Sequence, residues 1–256
     1  MVIKKILSVF LLISVLFLWG ADSALAAAFA THNFDDCSGT TDVTSLCPSG
    51  GTGWSGSWTT TNAYIGKTSG CQSSNCIEDD GAGDNNMYRT FTSAASGHGS
   101  IYFNRTDANV NNFRFNFCAD GTTTCMDTGK FYFRLLRSGI PVIGSQVQLG
   151  SLVGQTSLGT WTASTWQLIE YQWGTDSFYT TACSAGEVNA RFDGGTFSGC
   201  LTMNIGNDPG TVEYNTDDTT GGDSIFWDEL NNAEPVAAAG GAVVPGVPLH
   251  SRFLFF

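Results

Sequence analysis

The segments TWQLIEYQWG (165–174) and GEVNARFDGG (186–195) form the two halves of the stretch that decides the fold. In the first half Ile169, Tyr171 and Trp173 alternate with polar residues, and Val188 and Phe192 do so in the second. A period of two predicts strands with one buried face. The DGG that ends the second half offers residues that accept the positive φ of a tight turn. The stretch therefore predicts two strands of an antiparallel sheet.

Phenylalanines alternate with polar residues in two further segments, 113–117 and 131–136. These segments are predicted to be adjacent antiparallel strands that share a phenylalanine-rich inner face. Residues 33–37 are interpreted as the first strand, 206–223 as a polar loop and 225–230 as the last strand. Gly, Asn and Asp recur between the strands, which is typical of sandwiches and jelly rolls. The predicted fold class is all-β, a disulfide-stapled antiparallel two-sheet sandwich with jelly-roll topology.

The two ends of the chain differ from its middle. Lys4 and Lys5 precede a short apolar run and then Ala24-Leu25-Ala26, the order of a secretory signal peptide. Residues 1–26 are predicted to be that peptide, and the run is too short for a membrane span. Residues 29–232 are predicted to form the sandwich, and 233–256 an Ala/Gly/Pro-rich linker with a short apolar tail. The expected location is secreted or cell-surface, without stable membrane insertion of the mature domain.

The composition limits the class of partner. The formal net charge is −12, and only 13% of residues are charged. An acidic surface repels phosphate backbones, so nucleic acid is excluded as an expected partner. A glycan or the extracellular matrix is the expected partner, and the oligomeric state is not predicted.

Eight cysteines follow the predicted signal peptide, an even number that favours disulfides in an exported chain. Sequence alone cannot choose among the 105 connectivities that eight cysteines allow. The cysteines nevertheless fall into neighbouring groups, which favours the pairs Cys37–Cys47, Cys71–Cys76, Cys118–Cys125 and Cys183–Cys200.

Five short motifs resemble those of the concanavalin A-like jelly rolls, a family that includes LamG-type and carbohydrate-binding modules. They are FDD (34–36), GTGWSGSW (51–58), TWQLIEYQW (165–173), EVNARFDGG (187–195) and IFWDEL (225–230). The resemblance implies that the first and last strands lie side by side, with a structural Ca²⁺ near them. It would bring Asp35 or Asp36 close to Asp228 and Glu229. The repulsion between carboxylates in such a cluster is relieved by a bound cation.

Several polar and aromatic residues are candidates for ligand binding. Arg114, Arg134, Glu170 and Gln172 would form a hydrogen-bonding face for a glycan if their strands were neighbours, with Tyr132 as a stacking platform. Two tryptophans, Trp54 and Trp58, flank small residues in the glycine-rich segment. They are either sugar-stacking platforms or a core plug beneath a turn, and the sequence leaves both interpretations open.

No catalytic residue is predicted. A retaining glycosidase needs two carboxylates about 5–5.5 Å apart, and no such alternating acidic motif occurs. Asp228 and Glu229 are adjacent, so a strand would point them to opposite faces. A lyase would need a histidine beside arginine, glutamine and tyrosine, and neither His32 nor His98 lies on a predicted strand.

Three functions are compatible with the sequence. The first is a secreted, non-catalytic glycan- or matrix-binding module. The second is a structural or adhesive surface protein whose apolar tail mediates attachment. The third is a polysaccharide lyase or glycoside hydrolase with an atypical site.

Overall fold

The computed structural model describes residues 30–61, 64–79, 85–106, 112–119, 125, 130–137, 145–151, 153–204, 208–217 and 224–233. The predicted signal peptide and apolar tail lie outside these ranges, and the division into segments at residues 26 and 233 stays a prediction.

Strands dominate the described residues. One short helix, α1, spans Val43–Leu46, and Asp42 caps its N-terminus through a bond from Thr44 N. No helix within the described ranges is long and apolar enough to cross a membrane. The strands are β1 Thr59–Thr60, β2 Tyr64–Lys67, β3 Cys76–Asp79, β4 Asn86–Thr90, β5 Gly97–Arg105, β6 Asn112–Ala119, β7 Phe131–Arg137, β8 Ser145–Ser151, β9 Gly154–Thr160, β10 Gln167–Trp173, β11 Glu187–Phe192, β12 Leu201–Thr202, β13 Pro209–Asp217 and β14 Ile225–Ala233.

These strands form two antiparallel sheets of seven strands each. Sheet I has the order β1-β4-β13-β6-β7-β8-β9, and sheet II the order β12-β11-β10-β5-β14-β3-β2. Every assigned strand pair is antiparallel. The predicted all-β two-sheet sandwich is confirmed.

The core between the sheets is aromatic. In sheet I, Phe115 faces Phe133 across β6 and β7, as the alternation predicted. From sheet II, Tyr171 places its ring 6.3 Å from that of Phe115 and 5.1 Å from that of Phe133. Trp227 on β14 also contacts Phe115, at 6.1 Å between ring centroids. Burying a large side chain contributes roughly 1.5–3 kcal/mol, so this aromatic layer holds the two sheets together.

The stretch that decides the fold lies in the middle of sheet II. Strand β10 pairs with β11, with Tyr171 opposite Ala190. Asp193 and Gly194 follow with φ values of 48° and 74°, which confirms the predicted turn. Strand β5 flanks β10 on its other side, so β10 is an interior strand.

Two whole segments were assigned the wrong secondary structure from the sequence. Residues 33–37 form a turn, because Phe34 has a φ of 59° and its carbonyl accepts a bond from Cys37 N. The predicted polar loop 206–223 contains β13, which lies between β4 and β6. Val212 and Tyr214 are buried there and alternate with polar residues, a period-two signal that the surrounding Asp, Thr and Gly residues obscured.

All four predicted disulfides are confirmed, namely Cys37–Cys47, Cys71–Cys76, Cys118–Cys125 and Cys183–Cys200. Each closes a loop of 17 residues or fewer. The disulfides therefore fix loops at the sheet ends, while aromatic burial joins the sheets.

Candidate functional site

The outer face of sheet II carries a cleft between two loops. The Tyr179 loop (residues 174–183) follows β10, and the Phe197 loop (residues 193–200) follows β11. The cleft between them has a volume of about 490 Å³, and Tyr179, Asn189, Arg191 and Phe197 are among the residues that line it. We call this the Tyr179 cleft.

Gln172 holds the Tyr179 loop in place. Its side-chain amide donates to the carbonyls of Asp176, Thr180 and Thr181, and its oxygen accepts bonds from the backbone N–H groups of Tyr179 and Thr180. A fully bonded, buried amide of this kind replaces the water that loop backbone groups would otherwise bind. Gln172 therefore positions the loop, and its predicted role as a ligand contact stays a prediction.

The Cys183–Cys200 disulfide joins the ends of the two loops. Cys200 also lines the cleft. The two walls are thus covalently connected at one end and anchored to β10 and β11 at the other. This arrangement keeps the cleft formed without a ligand.

Aromatic rings form one side of the cleft. The rings of Tyr179 and Phe197 stack with centroids 5.8 Å apart and an angle of 28° between their planes. Next to them, Phe178 contacts Tyr179 edge-on at 4.9 Å. Phe178 is 57% exposed, and Val153 is the other large hydrophobic residue exposed among those described. One face of the Phe178 ring stacks on His98, and the rest of the ring offers an exposed apolar surface beside Tyr179.

Polar side chains form the floor of the cleft. The Arg191 guanidinium donates two bonds to the Glu170 carboxylate, from Nε at 2.6 Å and from Nη2 at 2.9 Å. This pairing neutralises both charges and holds the guanidinium 5.0 Å from the centroid of the Phe197 ring. Asn189 is 3% exposed, and its Oδ1 has no hydrogen-bond partner. A buried carbonyl without a donor costs about 1–3 kcal/mol, so this oxygen is an acceptor suited to a ligand.

The ionisation of Tyr179 fits a binding surface that stays neutral. The pKa of its phenol is raised to about 12, mainly by burial and secondly by the nearby Glu170 carboxylate. The phenol is therefore protonated at physiological pH and retains its hydroxyl donor.

The predicted polar face of Arg114, Arg134, Glu170 and Gln172 does not form. Arg114 and Arg134 are opposite one another on β6 and β7 of sheet I, whereas Glu170 and Gln172 are on β10 of sheet II. Since the aromatic residues between them on each strand point into the core, the two pairs lie on opposite outer faces of the sandwich. The expectation that their strands were neighbours was wrong because hydrophobic alternation does not say which sheet a strand joins.

Tyr132 lies on the outer face of sheet I with the two arginines. Its ring lies over Gly150, where an added Cβ would come within 2.3 Å of the ring. The Arg114 guanidinium is 5.7 Å from the centroid of the same ring. Tyr132 therefore packs against its own sheet on both sides, and its predicted role as a stacking platform stays a prediction.

The two tryptophans of the glycine-rich segment are packed differently. Trp58 is 3% exposed, and its Nε1 donates to His32 Nδ1 at 2.8 Å. The core-plug interpretation is correct for Trp58, and the sugar-stacking interpretation is wrong for it because its faces are buried. Trp54 is half-buried, contacts Trp58 at 5.1 Å and lies 4.9 Å from the Arg89 guanidinium.

The four carboxylates expected at a calcium site are only partly brought together. Asp35 and Asp228 both accept bonds from Ser73 Oγ, at 3.2 Å and 3.1 Å. Asp36 instead accepts from His32 Nε2 at 2.8 Å. The donor is assigned to Nε2 because Nδ1 of the same ring accepts from Trp58, and because burial lowers the pKa of His32 and favours the neutral ring.

The side-by-side placement that the resemblance implied is seen at one point, a bridge between His32 and Leu230. Among the described residues, each set of three or more His, Cys, Asp or Glu ligand atoms within 4.8 Å includes a disulfide-bonded cysteine. Asp35, Asp228 and Glu229 belong to none of these sets, and the calcium site stays a prediction.

The prediction that His98 lies outside the strands is wrong. It lies on β5 directly opposite Gln172 on β10. Its Nδ1 is 2.6 Å from Asp176 Oδ2, and the ring of Phe178 stacks on it at 3.9 Å. His98 therefore lies beneath the Tyr179 loop.

The residues that line the Tyr179 cleft were missed because they lie in a segment interpreted as a polar connection. One signal was available: the FYT of residues 178–180 comes shortly before Cys183, and Phe197 comes shortly before Cys200. Aromatic residues close to two paired cysteines, in segments outside the strands, indicate a binding surface when their rings are exposed.

Comparison with known proteins gives a fold and no family. Neither a protein-family model nor a curated protein matches the sequence. A solved sialidase is similar over 82% of this chain, with 10% identity and a TM-score of 0.51, and the match covers 19% of the sialidase chain. The carbohydrate recognition domain of Emp46p, in a potassium-bound form, is similar over 78% of this chain and 95% of its own, with 7% identity and a TM-score of 0.50. The chain thus shares a jelly-roll-like β-sandwich with these proteins.

Proposed function

We propose that the protein is a secreted glycan-binding module and that the Tyr179 cleft is its binding site. The observation that carries the proposal is the aromatic wall that Tyr179 and Phe197 form, at a cleft that already contains an unpartnered acceptor in Asn189. The exposed Phe178 extends this wall through its contact with Tyr179. Sugar rings present an apolar C–H face that packs on an aromatic ring, and hydroxyl groups that donate to such acceptors. A concave site with aromatic walls and a few placed polar groups is the usual form of a small-ligand site.

Two further observations support the proposal. One structure with a similar fold is a carbohydrate recognition domain. Four disulfides in a chain of this size agree with an oxidising, extracellular environment.

Binding without catalysis agrees with the state of Glu170. Both oxygens of its carboxylate accept bonds from Arg191. A reaction that used this carboxylate as a nucleophile would have to break the ion pair.

Glycan arrays with wild type, Phe197→Ala and Val153→Ala test the proposal. Val153 is 63% exposed and lies next to β9 on sheet I, so its variant controls for the loss of an exposed apolar side chain. We expect hits for wild type and Val153→Ala and their loss in Phe197→Ala. Hits that persist in a folded Phe197→Ala variant would exclude the Tyr179 cleft as the site.

A polysaccharide lyase is the second candidate, favoured by the convergence of His98, Gln172, Tyr179 and Arg191 on one face. A substrate would have to displace Phe178 to reach His98, since the two rings are stacked. Incubation with polysaccharides and an assay for unsaturated products tests this candidate. Products formed by wild type and abolished by His98→Ala would favour the lyase over the binding module.

A further inference from the structure

A second disulfide-closed loop lies on the same outer face of sheet II as the Tyr179 cleft. It spans residues 68–75 and follows β2, with Cys71 paired to Cys76. Ser73 donates from its backbone N–H to the Asp228 carboxylate at 2.9 Å. Asp228 is opposite Tyr102, whose side chain alternates with the buried Ile101 and Phe103 and therefore lies on the outer face. The loop is thus held against the outer face, away from the core.

Trp166 connects this loop to β10. Its Nε1 donates to Gly70 O at 2.9 Å, and the side chain is half-buried. Trp166 precedes β10 by one residue, and the alternation of that strand places it on the same face as Glu170 and Gln172. At about 3.3 Å per residue, four to six residues of strand separate the Trp166 position from the Tyr179 cleft by roughly 13–20 Å. This distance is several sugar rings long.

The Trp166 end repeats the chemistry of the Tyr179 cleft. Strands β10 and β5 are antiparallel, with Gln167 opposite Phe103. Continuing this register by one residue places Asn104 opposite Trp166. The Oδ1 atom of Asn104 is buried and has no hydrogen-bond partner, as is the case for Asn189 at the other end. Each end of the face therefore combines an aromatic side chain with an unpartnered amide oxygen.

The surface between the two ends is acidic. Half-buried Tyr102 lies between them, and burial raises its pKa, as do the nearby Glu229, Glu170 and Asp193 carboxylates. The Arg191 and Glu170 charges neutralise one another, so Glu229 and Asp193 supply the negative charge of this surface. Carboxylates of this kind repel the carboxylates or sulfates of acidic polysaccharides.

We infer that the outer face of sheet II is an extended groove for a neutral, linear oligosaccharide, with one binding end at the Tyr179 cleft and the other at Trp166 and Asn104. The inference rests on the proposed function and extends it from a single cleft to a chain-length-dependent site. A chain that spans the groove contacts both aromatic ends, whereas a monosaccharide contacts one.

Isothermal titration with a size series of one neutral array hit, from monosaccharide to hexasaccharide, tests the groove. Asn104 begins an Asn-X-Thr sequence, so the protein is produced in a host that does not glycosylate it. We expect wild-type affinity to rise at least tenfold with chain length. Trp166→Ala and Asn104→Ala should each lower the affinity for the long oligomers by roughly tenfold, the size of one aromatic or hydrogen-bonding contact, and leave that for the short ones unchanged.

Trp166→Phe keeps a ring and loses the bond to Gly70, so it controls for displacement of the loop. Its affinity for long oligomers should fall less than that of Trp166→Ala. Asn104→Ala removes an atom without a partner, so it tests the site even if Trp166→Ala does not fold.

The outcomes separate the groove from the proposed function. If affinity is independent of chain length and Asn104→Ala binds like wild type, while Phe197→Ala loses binding, the groove is wrong and the cleft stands. If Phe197→Ala also binds like wild type, both are wrong. Tighter binding of a uronate oligomer than of its neutral counterpart would overturn the neutral specificity.

Discussion

Asp228 provides a quantitative test of the described geometry. Its side chain is 0% exposed, and its carboxylate accepts bonds from the backbone N–H groups of Ser73 and Glu229. The pKa of Asp228 is nevertheless raised from 3.8 to about 6, mainly by burial and to a smaller extent by the neighbouring Glu229 charge. Folding therefore favours the protonated acid over the carboxylate.

The sign of the pH dependence follows from this shift. A raised pKa in the folded state contributes stability that is fully present below the unfolded value of 3.8 and lost as the pH rises through about 6. The difference between these two values corresponds to about 3 kcal/mol. Asp228→Asn keeps a neutral side chain at every pH, so it does not lose this stability.

Urea unfolding of wild type and Asp228→Asn between about pH 3 and pH 8 measures the effect. The stability of the variant relative to wild type should increase by up to about 3 kcal/mol across this range, with most of the change between pH 4 and pH 7. Asp193→Asn supplies the control, because it is the same substitution at an exposed position. Parallel stability curves for wild type and Asp228→Asn would refute the burial argument.

The same pair of proteins tests the calcium prediction. If Asp35 and Asp228 bind Ca²⁺, the cation should raise the unfolding temperature of wild type and leave that of Asp228→Asn unchanged. Equal melting temperatures with and without Ca²⁺ for wild type would contradict the prediction.

Three further predictions concern the cleft and sheet I. Replacing Cys183 and Cys200 together by Ser should abolish glycan binding while far-ultraviolet circular dichroism stays that of a β-sandwich, because the disulfide joins loops rather than sheets; retained affinity would contradict this role. Gln172→Ala should destabilise the protein by roughly 1–3 kcal/mol and expose the Tyr179 loop to protease, whereas unchanged proteolysis would show that other contacts hold the loop. Gly150→Ala should lower stability by roughly 1–3 kcal/mol through the clash with Tyr132, and an unchanged unfolding midpoint in urea would show that the ring moves freely.

The sequence predicted the architecture because each strand carries its own signal. Phe115 and Phe133, or Tyr171 and Val188, reveal a buried face by alternation within a few residues. The disulfide pairs were also predictable, since each closes a short local loop. Strand β13 was missed where the same alternation occurs inside a segment dominated by Asp, Thr and Gly.

The candidate site was not predictable in the same way, because it depends on contacts between distant segments. Alternation placed Glu170 and Arg114 on outer faces and could not say that these faces are opposite. The alternation predicted Gln172 to be exposed. The Tyr179 loop, which begins directly after β10, buries it. The unpartnered oxygen of Asn189 is a property of packing and has no signature in the sequence.

The most direct test of the central claim is a two-dimensional NMR titration of isotope-labelled protein with the best glycan-array hit. The account predicts shift changes at Asn189, Arg191 and Phe197, on the outer face of sheet II. Changes confined to Arg114 and Arg134, on the outer face of sheet I, would contradict it.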